Sequence, residues 1–74
     1  MSKADEMFEK LGYRKYSNTY STFYQNNSKS KEILFDVEDK DFVCQDMYDY
    51  DGLYITMQEL QAINEKVKEL GWNE

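Results

Sequence analysis

Residues 9–13 read EKLGY, and residues 68–72 repeat nearly the same phrase as KELGW. In each phrase an amphipathic run meets a glycine, which takes the left-handed conformation that ends a helix, and the aromatic residue after it folds back onto the last turn. The two phrases therefore predict where two helices end. Because the polar, tyrosine-rich segment between them has no helical period, they also predict the order helix, antiparallel strands, helix.

The first helix is predicted over residues 3–11. Ser2 is followed three residues later by Asp5, which is a weak helix-start pattern, and apolar residues then recur at helical spacing. The residues predicted to share the buried face are Ala4, Met7, Phe8 and Leu11. Beyond the helix end, Tyr13 is expected to pack against Phe8.

The second helix is predicted over residues 57–70 and has the strongest local pattern in the chain. Thr56 is expected to cap the free amides, with Glu59 reaching back as the other half of a capping box. Ile55 is expected to pack on Leu60 as a hydrophobic staple. The apolar stripe predicted to face the core consists of Met57, Leu60, Ile63, Val67 and Leu70.

Strands are predicted over residues 13–16, 20–25, 32–37 and 42–47, with alternation of apolar and polar residues clearest in the last two. A four-residue loop would pair Val37 with Phe42 and Phe35 with Cys44, so that all four face the core. No internal repeat is evident beyond the two helix ends. The sequence thus predicts a single two-layer α+β domain over residues 1–74, with a three- or four-stranded antiparallel meander and both helices on one sheet face.

Charge is unevenly distributed along the chain, which carries −6 overall: residues 1–31 sum to +3 and residues 32–74 to −9. Seven acids lie between Asp36 and Asp51, against the single Lys40. Such a segment repels phosphate backbones, and the basic residues are scattered rather than aligned, so direct binding to nucleic acid is not expected.

Several chemistries lack the residues they require. The chain has no histidine and one cysteine, Cys44, which excludes an internal disulfide, Cys/His zinc sites and Ser-His or Cys-His catalysis. A calcium loop of the EF-hand type, aligned on Gly52, is not expected, because Met47 and Gln58 stand where that loop needs acids. We therefore expect no enzymatic activity, no metal and no cofactor. The acidic first residues and the lack of a long apolar run favour a cytoplasmic protein that makes no membrane contact.

Tyrosine is the residue type that suggests a function, because seven tyrosines exceed what one small core can bury. Tyrosine is enriched at protein interfaces, where it supplies contact area and a hydrogen-bonding tip. Tyrosines and acids occur together near the end of the predicted sheet, and this coincidence predicts a partner-binding segment. It consists of Asp46, Tyr48, Asp49, Tyr50, Asp51 and Tyr54. The partner would be a protein of unknown identity.

Alternatives remain open at this stage. The tyrosines would equally serve to cover the sheet and its edges. The acids would suit a nucleic-acid mimic that blocks a DNA-binding protein, and direct nucleic-acid binding is a weaker alternative. The sheet face away from the helices is expected to show Leu34 and Val43, with Tyr20, Tyr24 or Phe23 depending on register, and that surface would also suit a homodimer.

Residues 55–64, ITMQELQAIN, and residues 69–72, ELGW, resemble small uncharacterised proteins encoded by bacteriophages and prophages of low-GC Gram-positive bacteria. Residues 7–13, MFEKLGY, and residues 33–36, ILFD, also fit the layout of that family. The resemblance implies a phage or prophage origin and action inside a bacterial host. It implies no activity and supplies no functional positions.

Overall fold

The computed structural model describes residues 2–72 and has two helices and four strands. Their bounds are α1 Lys3–Lys10, β1 Arg14–Ser17, β2 Ser21–Asn26, β3 Lys31–Asp36, β4 Asp41–Asp46 and α2 Met57–Leu70. The strands form one antiparallel sheet in the order β1-β2-β3-β4. The predicted α+β fold is confirmed. Within the described residues, neither helix is long and apolar enough to cross a membrane.

Both helices end as the sequence predicts, in a left-handed glycine. Gly12 has φ 94° and Gly71 has φ 75°. The amide of the aromatic residue after each glycine donates to the carbonyl five residues earlier, at 3.0 Å in α1 and 3.1 Å in α2, which is the Schellman pattern. In α1 the ring of Tyr13 meets the ring of Phe8 edge-on, with centroids 5.7 Å apart. The local phrase therefore fixes the helix end and also supplies a core contact.

The core lies between the two helices and one face of the sheet. The ring of Phe8 from α1 stacks on Tyr24 of β2 at 3.9 Å and meets Phe35 of β3 edge-on at 6.3 Å. From α2, Ala62 and Ile63 are buried in the same cluster. The buried cluster consists of Phe8, Tyr13, Tyr24, Ile33, Phe35, Cys44, Ala62 and Ile63. Both helices therefore cover the same sheet face.

The orientation of α2 corrects the predicted apolar stripe. Met57 is 70% exposed and Leu60 is 36% exposed, so the first turn of the stripe faces water and Leu60 is not a buried staple for Ile55. The buried positions of α2 are Glu59, Ala62, Ile63 and Lys66, and Val67 and Leu70 are partly buried against the core, so the predicted stripe is confirmed from Ile63 onward. The helix is rotated because the carboxylate of Glu59 turns inward to an ammonium group on β3, as described below.

Each strand is shifted by one residue from its predicted bounds, which corrects the position of Val37. Phe35 pairs with Phe42, and Val37 lies in the loop with 41% of its surface exposed. The β3 strand ends at Asp36 because one carboxylate oxygen of that residue accepts from the loop amides of Glu38 and Asp39, both at 2.9 Å. Phe35 is predicted to pair with Cys44 and instead pairs with Phe42, a shift of two residues along β4. Because side chains alternate with a period of two, Phe35, Phe42 and Cys44 still lie on the predicted sheet face.

A ten-residue structural period links β2, β3 and β4 and corrects the expectation of no internal repeat; in the sequence it is visible as the spacing of Asn26, Asp36 and Asp46. The three strands end at Asn26, Asp36 and Asp46, and the side-chain oxygen of each accepts amides two or three residues ahead. Each following loop ends in a residue with positive φ; these are Ser30 at 53°, Lys40 at 56° and Tyr50 at 63°. The period comes from turn chemistry, since the residue types otherwise differ.

Because Lys40 is a non-glycine residue in the left-handed region, Lys40→Gly is expected to stabilise the protein by about 0.5–1 kcal/mol. Glycine removes the steric cost of a Cβ at positive φ, which outweighs its greater freedom in the unfolded chain. Urea unfolding measures the change. Lys40→Ala is the control, because it removes the same charge and keeps the Cβ; a gain of similar size in Lys40→Ala would contradict the explanation.

The sheet face away from the helices carries one apolar residue from each strand in a continuous row. Tyr16 pairs with Phe23, Phe23 with Leu34, and Leu34 with Val43. We call these four residues the cross-strand row. Of the other tyrosines considered for this face, Tyr24 lies in the core, and Tyr20 lies outside the strands.

Candidate functional site

The predicted partner-binding segment follows β4 as a loop that its own acids shape. One oxygen of Asp46 accepts from the amides of Tyr48 and Asp49, at 2.8 and 3.2 Å, and these backbone hydrogen bonds hold the pKa of Asp46 below its usual value. The carboxylate of Asp49 accepts from the amide of Asp51 at 2.9 Å. The carboxylate of Asp46 is therefore engaged in hydrogen bonds within the loop, whereas Asp49 and Asp51 remain exposed.

The end of the segment returns along the edge of β4. Gly52 forms an isolated antiparallel bridge with Gln45, and the amide of Leu53 donates to the carbonyl of Cys44 at 3.0 Å. The carbonyl of Tyr54 accepts from the Cys44 thiol at 3.6 Å. Cys44 is buried, and burial raises the pKa of its thiol, so it behaves as a packing residue. These contacts anchor both ends of the segment to the sheet.

Three tyrosines of the segment project from this anchored backbone. Tyr48 and Tyr54 are each 78% exposed, and Tyr50 is 65% exposed. Of the four tyrosines outside the segment, Tyr13 and Tyr24 are buried, whereas Tyr16 and Tyr20 are 40% and 67% exposed. The aromatic rings and the carboxylates of Asp49 and Asp51 are thus presented together to solvent, as the sequence predicts for a contact surface.

A buried ion pair lies beside the segment, and sequence reasoning missed it. The ammonium of Lys31 on β3 donates to Glu59 Oε1 at 2.6 Å, and both side chains are almost fully buried. The hydroxyl of Tyr13 donates to Glu59 Oε2 at 2.6 Å, and the amide of Thr56 donates to Oε1 at 3.0 Å. The capping-box glutamate therefore also joins α2 to the sheet and to the end of α1.

Electrostatics in this cluster favour the ion pair. Burial alone would raise the pKa of Glu59, but hydrogen bonds from Lys31, Tyr13 and the Thr56 amide outweigh burial and hold that pKa below its ordinary value. Burial, reinforced by the neighbouring carboxylate, raises the pKa of Tyr13 well above its usual range. Glu59 is therefore a carboxylate, and Tyr13 is a neutral phenol, across the physiological range.

A surface pocket of about 300 Å³ connects this cluster to the segment. It is lined by Lys29, Lys31, Leu53 and Tyr54, and the Lys31 ammonium lies 4.6 Å from the centroid of the Tyr54 ring. The ammonium of Lys29 is 4.0 Å from Glu59 Oε2 and is largely exposed. The groups that line the pocket are mainly charged and aromatic, and burial raises the pKa of the nearby Cys44 thiol.

A second polar cluster fixes α1 and α2 to β1 and β2. Asp5 accepts from the Tyr24 hydroxyl at 2.7 Å and from the Lys15 ammonium at 2.9 Å. The buried ammonium of Lys66 donates to Glu69 at 2.6 Å. Burial opposes ionisation of Asp5 and Glu69, but these hydrogen bonds outweigh it and lower the pKa of each. The groups are saturated by one another, so the cluster serves the fold.

The lowered pKa values of Glu59, Asp5 and Glu69 predict that stability falls in acid. A carboxyl group whose pKa is lower in the folded state contributes stability above its unfolded pKa, here 4.5 or 3.8, and loses it as the pH falls through the folded value. We expect the urea midpoint to drop below about pH 4.5. A midpoint that rises from pH 5 to pH 3 would contradict this assignment.

Metal binding gains no support from the acid-rich loop. Among residues 2–72, no group of three or more His, Cys, Asp or Glu side chains is arranged to hold a metal ion. Comparison with protein-family models, curated proteins and solved structures found no match for this chain. The surfaces of the chain itself are therefore the basis for assigning its function.

Proposed function

We propose that this chain is a non-catalytic protein-binding domain and that the segment over residues 46–54 is its contact surface. The observation that carries the proposal is the exposure of Tyr48, Tyr50 and Tyr54, at 65–78%, on a backbone tied to the sheet at both ends. An anchored loop loses little entropy on binding, and tyrosine supplies large contact area with few rotatable bonds.

The charge of the segment specifies the partner's surface. Asp49 and Asp51 are exposed beside the tyrosines, and among the described residues that line the pocket the ammonium of Lys29 is the largely exposed cation. A partner surface that carries arginine or lysine around an aromatic or aliphatic pocket complements this arrangement. We further propose that the partner is a phage or host protein in the bacterial cytoplasm, on the basis of the resemblance over residues 55–72.

Nucleic-acid mimicry is the second candidate, and the spacing of the acids favours it less. The two acidic loops, over residues 37–40 and 47–50, lie at opposite ends of β4. Six strand residues separate them by about 17 Å, so the exposed acids do not form one closely spaced row like the phosphates of a duplex. Mimicry predicts steep weakening of binding with salt and competition by duplex DNA.

Alanine substitution within the segment tests the proposal. The immobilised protein is used to isolate its partner from cells that carry the gene, and affinities of variants are then measured with that purified partner. The double variant Tyr48→Ala/Tyr50→Ala is expected to weaken binding at least about tenfold, because exposed interface tyrosines are frequent hot spots. Tyr20→Ala is the matched control, since Tyr20 is 67% exposed in another loop, and it should bind as the wild type does.

Three results would count against the proposal. Equal affinity of the double variant and the wild type would remove the tyrosines from the interface. Loss of binding in Tyr20→Ala alone would move the interface to the other end of the sheet. Binding that duplex DNA abolishes, with no effect of the tyrosine substitutions, would favour mimicry.

A further inference from the structure

The open face of the sheet presents a second surface that is independent of the 46–54 segment. The cross-strand row of Tyr16, Phe23, Leu34 and Val43 runs across all four strands, each residue directly opposite the next. Tyr16 and Val43 are each 40% exposed, and the rings of Tyr16 and Phe23 stack at 5.5 Å. A continuous apolar row on a face that neither helix covers is typical of a docking surface.

Acids border this row on one side. Asp36 and Asp41 lie there, at the facing ends of β3 and β4, whereas Glu32 on the other side of the row is buried, with 6% of its surface exposed. The single strand residue on this face with a positive charge is Arg14, on β1 at the far edge. The half of the face formed by β3 and β4 is therefore apolar in the middle and negative along the margin that holds Asp36 and Asp41, which complements an apolar segment with a basic flank.

The size of the face selects a single segment rather than a second copy of the chain. Three strands of six residues and one of four cover about 350 Å², whereas a stable protein interface buries about 800 Å² on each partner. The row is about 14 Å long, since neighbouring strands are spaced by 4.7–4.9 Å. About ten helical residues span that length and present three or four side chains at positions i, i+3, i+4 and i+7.

We propose that the cross-strand row binds an amphipathic helix of a partner protein whose apolar stripe is flanked by lysine or arginine. The apolar residues of the helix lie across Phe23, Leu34 and Val43, and its basic flank approaches the carboxylates of Asp36 and Asp41. Stacking of single-stranded RNA on Tyr16 and Phe23 is the competing use of such a face, but RNA-binding sheets need cations where this one carries acids.

Synthetic peptides test the proposal by NMR on the ¹⁵N-labelled protein. The probe is a helical peptide of about 14 residues with leucine at i, i+3, i+4 and i+7 and lysine at the flanking positions. We expect progressive shifts in the amide signals of Tyr16, Phe23, Leu34 and Val43. The same peptide with glutamate in place of every lysine should bind about tenfold more weakly or not at all.

Variants separate the open face from general attraction between a basic peptide and an acidic protein. Phe23→Thr/Val43→Thr should weaken binding about tenfold while preserving the sheet, since threonine is a good strand former. Asp36→Asn/Asp41→Asn should also weaken binding, and the asparagine at 36 keeps the turn, as Asn26 does in the β2 loop. Asp49→Asn/Asp51→Asn is the control with the same charge change, and it should have no effect.

Each contrary result overturns the inference. Shifts confined to residues 46–54, equal effects of the two acid-to-amide variants, or no shifts at millimolar peptide would each remove the open face as a helix-binding surface. Shifts of amide signals on the open face with dodecauridine, but not with the peptide, would indicate that this face binds RNA. Concentration-dependent shifts without any peptide would assign it to self-association. Shifts confined to residues 46–54 would overturn the open-face proposal and agree with a contact surface at that segment, and the other results do not bear on its tyrosines, so the two proposals fail separately.

Discussion

Glu59→Gln is expected to destabilise the protein by about 3–5 kcal/mol, because it leaves the ammonium of Lys31 buried without its counter-ion. Both members of the pair are almost fully buried, and glutamine also weakens the capping box with Thr56. A domain of this size has a total stability of about 3–5 kcal/mol from its core. Circular dichroism at 25 °C should therefore show a largely unfolded variant.

Two matched variants isolate the buried pair. Glu65→Gln removes an acid from the same helix, where its ion pairs with Lys3 and Lys68 are loose, at 3.9 and 4.0 Å, and solvent-accessible. That change should cost less than about 1 kcal/mol. The double variant Glu59→Met/Lys31→Met should recover much of the loss, since apolar replacement of a whole buried pair is often neutral. Equal effects of Glu59→Gln and Glu65→Gln would contradict the role of the pair.

Phe8→Ala is expected to cost about 3–5 kcal/mol, because its ring is fully buried at the centre of the core. The ring stacks on Tyr24 and meets Tyr13 and Phe35 edge-on, so truncation leaves a cavity that three aromatic rings line. Urea or thermal unfolding measures the loss. Phe42 lies on the sheet face that the helices cover but is 40% exposed, so Phe42→Ala should reduce the free energy of unfolding distinctly less.

A similar cost for both phenylalanines would contradict the description of the core. It would place the centre of packing over β4 rather than between α1 and β2. Phe8→Leu provides an intermediate point, because it preserves part of the buried volume and should lose less stability than Phe8→Ala.

The helix ends were predictable because their causes are local. A glycine, the aromatic residue after it and a capping box all act within six residues of the chain, and the left-handed φ of Gly12 and Gly71 follows from residue type alone. Strand faces were predictable for the same reason, since alternation fixes which residues share a side even when the pairing moves by two residues.

The rotation of α2 was not predictable from the apolar pattern. It depends on the ion pair between Lys31 and Glu59, which are 28 residues apart in the sequence. No periodicity in the sequence indicates that these two residues interact. The ten-residue spacing of Asn26, Asp36 and Asp46 was visible in the sequence, and the preference of Asn and Asp for turns would have given the correct strand ends.

The candidate site was predictable in composition but not in detail. Acid-flanked tyrosines without apolar alternation indicated exposure for Tyr48, Tyr50 and Tyr54, which the structure confirms. The sequence did not show that Asp46 accepts hydrogen bonds from the loop amides, because those bonds depend on the backbone geometry after β4. The pocket beside Tyr54 depends on Lys31, which the sequence placed among scattered surface charges.

Site-specific photocrosslinking tests the central claim most directly, because it reports contact without removing a side chain from the fold. A photoreactive phenylalanine is placed at Tyr50 in one protein and at Tyr20 in another, positions with nearly equal exposure of 65% and 67%. Irradiation with the isolated partner should yield a crosslinked complex from position 50 and none from position 20. Crosslinking from position 20 alone, or from both positions equally, would contradict a contact surface centred on residues 46–54.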